Sequence, residues 1–288
     1  MPASFAAPLV PQIRKDYRYC RKLTHRCGPN FSVGFRCLPR AKRIAIYAAY
    51  ATCRLADDLA DEGLRPDQGL LDRWEAEVES AYAGNPSHPV TRALHHAIQN
   101  YPIPKNAFLG LIRGCRQDFA KKRYANLQEL LDYCELVASS ISEISLAVFG
   151  TMNEETPRLG RRLSTALQLT NIIRDVAEDA GKDRIYLPRN EMENFQVTEE
   201  QILKLLPTSG MHPFLEFQCR RAMGFFKEAA DLPNHVEPDS RLAVKVMAGV
   251  YRRILEKILK DPLQVFRRRV RLNPAEKARV ILQCIGLS

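Results

Sequence analysis

Apolar residues recur along this chain at intervals of three and four, the period of a helix, with no convincing alternation of the kind a strand needs. Residues 40–62 (RAKRIAIYAAYATCRLADDLADE) run without glycine or proline and are rich in alanine. Pro39 is placed to open that helix and Gly63 to close it. Residues 68–83 repeat the pattern up to the break at Gly84-Asn85-Pro86. Further helices are predicted over 88–100, 105–122, 127–150, 156–181, 212–231, 238–260 and 274–286. Prolines and glycines such as Pro104, Gly150, Pro188, Pro207, Pro233 and Pro262 punctuate them. Residues 1–14, broken by Pro8 and Pro11, read as flexible, and no repeat or low-complexity linker divides the rest. The expectation is one all-α domain over residues 1–288. Within it, residues 137–149 (VASSISEISLAVF) are apolar around much of their circumference and mix small side chains with large ones. Such a helix belongs inside a bundle, where its small residues leave a cavity rather than fill one.

Composition narrows the class. With 288 residues, 45% hydrophobic and 26% charged, the chain is long and apolar enough for a substantial core. That excludes a disordered tail, a collagen-like chain and a disulfide-stapled mini-domain. The eight cysteines form no Cys-x-x-Cys pair, so zinc and iron–sulfur spacing is absent; buried reduced thiols in a cytoplasmic protein fit better. The N-terminus lacks the basic start and hydrophobic run of a signal peptide. No apolar stretch reaches the ~18 residues of a transmembrane span. The net charge of +10 favours an anionic substrate or partner. The basic residues read as dispersed rather than massed on one face, and no nucleic-acid-binding module is evident, so nucleic acid is not expected. The run Phe266-Arg-Arg-Arg-Val270 is either a patch for peripheral contact with a membrane or solvated surface.

Chemistry concentrates in two acidic helices. In CRLADDLADE (53–62), Asp57 and Asp61 lie four apart and so point one way, with Arg54 nearly on the same face; Asp58 and Glu62 form a second such pair. Like charges at that spacing repel, and a divalent cation would offset the repulsion. A solvated acidic helix end is the alternative. The second stretch, LTNIIRDVAEDAGKDRIYLP (169–188), changes the balance. Asn171, Asp175 and Asp179 fall at i, i+4 and i+8 on one stripe, extended by Gln168 and flanked by Leu169, Ile172, Ile173 and Val176. Half-buried amide and carboxylate oxygens need a partner. Hard oxygen donors without thiols or imidazoles suit Mg²⁺, with Mn²⁺ as a substitute. Two such helices facing one another would clamp Mg²⁺ and diphosphate.

At these residues the chain resembles the squalene/phytoene synthase family, the head-to-head prenyl synthases, from about Phe31 to Arg269. The first aspartate motif resembles Asp57-x-x-x-Asp61 after Tyr50 and Arg54; the second, Asn171-x-x-x-Asp175-x-x-x-Asp179, runs on into Arg184-Ile-Tyr-Leu-Pro188. Residues 116–143 are similar to the family's middle helix region. The resemblance implies an isoprenoid synthase helical bundle with a central hydrophobic cavity. It implies that Asp57, Asp61, Asn171, Asp175 and Asp179 bind Mg²⁺ bridging prenyl diphosphates, and that Arg54, Gln168, Arg174 and Arg269 contact diphosphate or line its site. Tyr50, Tyr133, Tyr186 and Tyr251 match tyrosines near the substrates, Tyr133 among the catalytic set, and Phe31 and Phe35 match entrance or cavity aromatics. The implied reaction condenses two farnesyl or geranylgeranyl diphosphates through a cyclopropylcarbinyl diphosphate to a C30 or C40 product.

Two departures stand out. Ser139-Ser140-Ile141-Ser142 replaces the family's common Gly-Thr-Val-Gly, which is expected to narrow the cavity or reposition its helix. Gly28-Pro29-Asn30 stands where relatives often carry serines. No Gly-x-Gly-x-x-Gly fingerprint supports a reductive NADPH step. The competing readings are a terpene cyclase or chain-elongating prenyltransferase, disfavoured by the Arg-Ile-Tyr-Leu-Pro extension, and a helical assembly factor, disfavoured by the intact acids. His25, His95 and His96 read as surface or packing residues, Trp74 and Tyr101 as packing anchors, and Glu143 as either a paired buried acid or a cavity-lining one. Glu178 points away from the metal stripe.

Overall fold

The computed structural model describes residues 9–61 and 68–286, and their side chains except those of Asp61 and Gln68. Among the described residues the chain forms fifteen α-helices and no sheet. They are α1 (Pro11–Cys27), α2 (Phe31–Phe35), α3 (Arg40–Asp61), α4 (Gln68–Ala83), α5 (Pro89–Ile98), α6 (Lys105–Ala120), α7 (Leu127–Cys134) and α8 (Ser140–Phe149). The remainder are α9 (Glu155–Arg174), α10 (Val176–Gly181), α11 (Arg189–Asn194), α12 (Glu199–Leu203), α13 (Met211–Glu228), α14 (Arg241–Lys260) and α15 (Pro274–Cys284). The all-α expectation holds, and one continuous apolar cluster runs from Tyr17 to Val280.

Helix α9 is the axis of the bundle. Residues on nearly every side of it are buried, from Thr156 through Leu159, Leu163, Ala166 and Thr170 to Arg174. Helix α3 packs closely because Ala45, Ala48, Ala49, Ala51 and Ala56, all buried, add little girth. Gly34 matters for a similar reason. A Cβ there would lie 2.2 Å from Met247 Cγ and 2.9 Å from the Ala243 carbonyl, so only glycine lets α2 rest directly on α14. Among the described residues no helix is long and apolar enough to cross a membrane.

Three boundaries differ from the sequence reading. Residues 1–8 lie outside the described residues, but 11–14, expected to be flexible, form the first turn of α1. Pro11 starts that helix rather than breaking it, because the N–H it lacks has no partner to find in a first turn. The predicted 127–150 helix is interrupted by a π-helical segment, Glu135–Ser139. There Ser139 Oγ donates to Glu135 Oε2 (2.8 Å) and Ser140 Oγ to the Leu136 carbonyl (2.7 Å). The Ser140 hydroxyl, by bonding back to a backbone carbonyl one turn earlier, competes with the regular ladder there. The predicted 156–181 helix breaks at Asp175, whose backbone (φ −101°, ψ 11°) leaves the helical region. Glu143, read as buried or cavity-lining, is exposed.

Lys42 ties three elements together at the closed end of the bundle. Its buried ammonium donates to the Phe149 carbonyl (2.9 Å), Glu237 Oε2 (2.6 Å), Asp239 Oδ1 (2.6 Å) and Ser240 Oγ (3.0 Å). This joins α3 to the end of α8 and the start of α14. Removing one partner of a buried ion pair costs about 3–5 kcal/mol; part-exposed Glu237 and Asp239 keep some solvation, which lowers the expectation here to about 2–3 kcal/mol. Urea denaturation of Lys42→Met should show that loss, and a loss below about 0.5 kcal/mol would mean the clasp contributes no more than a surface pair.

Candidate active site

The last turns of α3 carry one wall. Tyr50, Cys53, Arg54 and Asp57 recur at helical spacing and all line a single cavity of about 560 Å³. Asp57 accepts the Cys115 thiol of α6 through Oδ1 (3.4 Å). Arg54 pairs with Asp58 (2.5 Å); Glu62, expected beside Asp58, lies outside the described residues. The Arg54 Nε is buried without a hydrogen-bond partner. Asp61 ends α3, and its side chain lies outside the described residues.

Helix α9 supplies the facing wall with Gln168, Asn171, Arg174 and, at its end, Asp175. Asn171 Oδ1 is buried and has no donor. Arg174 grips Asp175 with two bonds, Nε to Oδ1 (2.7 Å) and Nη2 to Oδ2 (2.5 Å). Arg269 adds a third to Asp175 Oδ2 (2.9 Å) and reaches Glu178 (3.1 Å). Glu178 is exposed, as the sequence reading had it. Asp179 is half-buried and is not among the residues that line the cavity, although its N–H still bonds the Asp175 carbonyl (2.9 Å) and so keeps it one helical turn from Asp175. Burial, then Asp175 and Glu178, push its carboxyl up to about 7.

The roof is aromatic and cationic. Phe31 lies against Phe35, Tyr50 and Tyr251, with ring centroids 6.1, 5.4 and 5.3 Å apart. Phe31, Tyr50 and Tyr251 line the cavity; Phe35 stands behind them, buried. A Cβ on Gly28 would meet the Tyr50 hydroxyl at 2.5 Å, so the serine-to-glycine departure makes room for that ring. Arg26, Arg271 and Lys277 also line the cavity, and sequence reasoning missed all three. Their only sequence signal was charge just outside the Phe31–Arg269 stretch. Deeper in, Ile141, Leu146, Phe149, Leu163, Val244 and Met247 form an apolar interior.

The Ser139–Ser142 departure resolves residue by residue. Ser139 and Ser140 turn their hydroxyls onto their own helix, whereas Ser142 and Ser145 face the cavity. Gly160 accommodates Ser142: a Cβ on Gly160 would approach Ser142 Oγ to 2.7 Å and Leu146 Cδ1 to 2.6 Å.

Tyr133 and Tyr186 do not line the cavity. Both donate to Asp118, Tyr133 to Oδ2 and Tyr186 to Oδ1, each at 3.1 Å. Tyr124 stacks on Tyr186 at 5.5 Å and completes an aromatic nest. Burial raises the phenol pKa of all three. Tyr133, expected in the catalytic set, therefore stands in a supporting layer, and Asp118 at its centre was missed because a lone aspartate in a helix has no spacing signature. The adjoining chain is pinned by Ile185 N–H donating to the Lys122 carbonyl (2.9 Å) and by Arg123 and Lys122 on Asp183. His96 and His95 bond Tyr17 and the Ala81 carbonyl, and Trp74 donates to the Thr52 carbonyl, as packing residues do.

Among the described residues no three acidic, histidine or cysteine side chains converge as a ready-made metal cage. What the walls offer instead is a buried acceptor without a donor on Asn171 and carboxylates of Asp57 and Asp175 across one cavity. That suits a hard cation that takes one or two carboxylates per wall and fills its shell with phosphate oxygens and water.

The squalene/phytoene synthase family model matches residues 24–276. The phytoene synthase of Arthrospira platensis is 35% identical over 295 aligned positions, covering 97% of this chain and 94% of that protein. The 15-cis-phytoene synthase of Synechococcus elongatus is 33% identical, covering 90% and 89%. Among solved structures, a dehydrosqualene synthase in complex with ligand superposes with a TM-score of 0.89 at 28% identity, covering 96% and 97%. A squalene synthase from Alicyclobacillus acidocaldarius gives 0.80 at 33% identity, covering 88% and 96%. The bundle, the two facing polar walls and these similarities agree that the chain belongs to the squalene/phytoene synthase family.

Proposed function

We propose that this prenyl transferase joins two farnesyl or geranylgeranyl diphosphates head to head in the cavity between α3, α8, α9 and α14. Asp57 and Asp61 on one side and Asn171 and Asp175 on the other, with Asp179 one helical turn farther out, would hold Mg²⁺ against the diphosphates. The observation that carries this reading is a pair of unmatched buried atoms on residues that line one cavity from opposite sides, the acceptor Asn171 Oδ1 and the donor Arg54 Nε. An unmatched buried polar group costs about 1–3 kcal/mol, a cost that a bound substrate and its cation would offset. When bound, Mg²⁺ or Mn²⁺ neutralises diphosphate oxygens and so eases departure of the leaving group.

The chain's own residues do the rest. Arg54, Arg174, Arg269, Arg271 and Lys277 present donors to the diphosphates, the arginines in forked pairs. Asp175, already gripped by Arg174 and Arg269, keeps those guanidiniums aimed at the mouth. The apolar interior excludes water from the allylic cation until the second chain's double bond meets it. Phe31, Tyr50 and Tyr251 turn aromatic surface toward the developing charge. The first product is a cyclopropylcarbinyl diphosphate, which ionises again on the way to a C30 or C40 isoprenoid. Tyr133, Tyr186 and Asp118 act one layer back, fixing the segment that follows the second acidic motif.

Replacing Asp57 by Asn should lower kcat roughly 10²–10³-fold while leaving the far-ultraviolet circular dichroism unchanged. Retention of half the activity would remove Asp57 from the machinery. Chelation with EDTA should abolish diphosphate release, and Mg²⁺ should restore it; turnover that continues in the chelator contradicts the metal assignment. For the interior, Ser142→Phe should shift the products analysed by mass spectrometry, with and without NADPH, whereas Ser139→Gly should not. Identical product distributions for Ser142→Phe and the unaltered chain would show that this wall does not shape the product.

A further inference from the structure

The chain's charge is far from evenly spread, contrary to the sequence reading. The first 43 residues hold ten Lys and Arg against the single Asp16, a net +9 of the chain's +10. Asp16 is buried and paired with Arg92 through two bonds of 2.9 Å, so it offsets nothing at the surface. Helix α1 shows how this arises. Arg14, Lys15, Arg18, Arg21, Lys22 and Arg26 are all exposed, and at helical geometry they fall within an arc of about 140°. The opposite side, with Tyr17, Cys20, Leu23 and Thr24, is buried. Among the described residues none of the first five makes an ion pair, and Arg26 feels the Asp58 carboxylate.

Part of this face is a formed recess. Arg21, Lys22, His25, Arg36, Arg43 and Tyr47 line a surface pocket that contains no carboxylate. Tyr47 is its buried floor, and Arg43, Arg36 and Arg21 all act on the Tyr47 phenol. Partial burial first, and then Arg36 and Arg21, hold His25 below its ordinary value. Two large side chains stand exposed at the margins of the cationic arc, Val10 (59%) and Tyr19 (45%).

We propose that the α1 face and its Arg21–Arg36–Arg43 recess dock the enzyme on a bilayer of anionic phospholipid, with a headgroup phosphate in the recess and Val10 and Tyr19 at the interface. A basic helical face edged by apolar and aromatic residues is the form that interfacial binding takes. The C-terminal end of this helix and the loop after it, Arg26 to Phe31, also line the reaction cavity, so docking brings the cavity rim to the lipid. The choice of lipid over another polyanion rests on the prenyl-chain chemistry of the proposed function, since amphiphilic substrates and a hydrocarbon product partition into bilayers.

Flotation of the full chain with vesicles of phosphatidylcholine, alone or mixed with phosphatidylglycerol, tests this. The mixed vesicles should carry the protein, neutral vesicles should not, and raised salt should release it. The triple variant Arg18→Gln, Arg21→Gln, Lys22→Gln changes only exposed side chains and should weaken binding on the order of a hundredfold. Arg220→Gln, elsewhere on the surface, should not. Turnover of detergent-dispersed substrate, read separately, should be unchanged in the triple variant, so loss of vesicle binding and loss of catalysis are told apart. Equal binding to neutral and anionic vesicles, or an unaffected triple variant, overturns the proposal. So does tight binding of inorganic diphosphate, or of an oligonucleotide, at the same residues without vesicle binding.

Discussion

The arrangement that everything else serves is the neutralisation of charge at the mouth of an apolar cavity. Carboxylates and guanidiniums there are matched in pairs, Arg54 with Asp58, Arg174 with Asp175 and Arg269 with both Asp175 and Glu178. Only Arg174 with Asp175 is a buried pair, and such a pair contributes little to stability for its desolvation cost, so its presence is better explained by function than by folding. Each wall also keeps one atom unmatched, Arg54 Nε and Asn171 Oδ1. A mouth of both signs is what a substrate with an anionic head and an accompanying cation requires.

The bundle is organised to hold that mouth against a dry interior. Helix α9 carries polar residues toward one end and apolar ones below, so one rigid element spans both environments. The π-helical segment before α8 and the break after Arg174 are the two irregularities flanking the cavity. The first brings Ala138, Ile141, Ser142 and Ser145 to its wall, and the second lets Asp175 turn toward Arg269. Lys42 closes the far end, where Phe149 is both a cavity wall and a carbonyl acceptor of its ammonium. Disturbance at that clasp therefore reaches the interior through Phe149.

Much of this was legible in the sequence because helices announce themselves by period. The long elements from α3 onward, and the placement of Asp57, Asn171, Arg174 and Asp175 on two facing walls, followed from spacing and from motif resemblance together. What escaped had no periodic signature. Helix α1 was hidden by Pro11, which reads as a breaker yet sits where a helix can begin. Asp118 is defined only by the hydroxyls of Tyr133 and Tyr186, which reach it across 15 and 68 residues of chain. The irregular backbone at Asp175, which no side-chain pattern encodes, splits the predicted helix in two, yet Asp179 keeps its one-turn spacing from Asp175. The serines at 139, 140 and 142 look alike in sequence but point to different surroundings, two to their own helix and one to the cavity.

One experiment bears on the core of this account more directly than any substitution. A crystal grown with Mn²⁺ and a non-cleavable thiodiphosphate analogue of farnesyl diphosphate would show the metal by its anomalous scattering. The account places the peaks between the Asp57 and the Asn171–Asp175 sides, within coordination distance of the analogue's diphosphate, with the prenyl chain running past Ile141 and Leu146. Manganese bound away from both walls, or a prenyl chain lying outside the cavity, would contradict it.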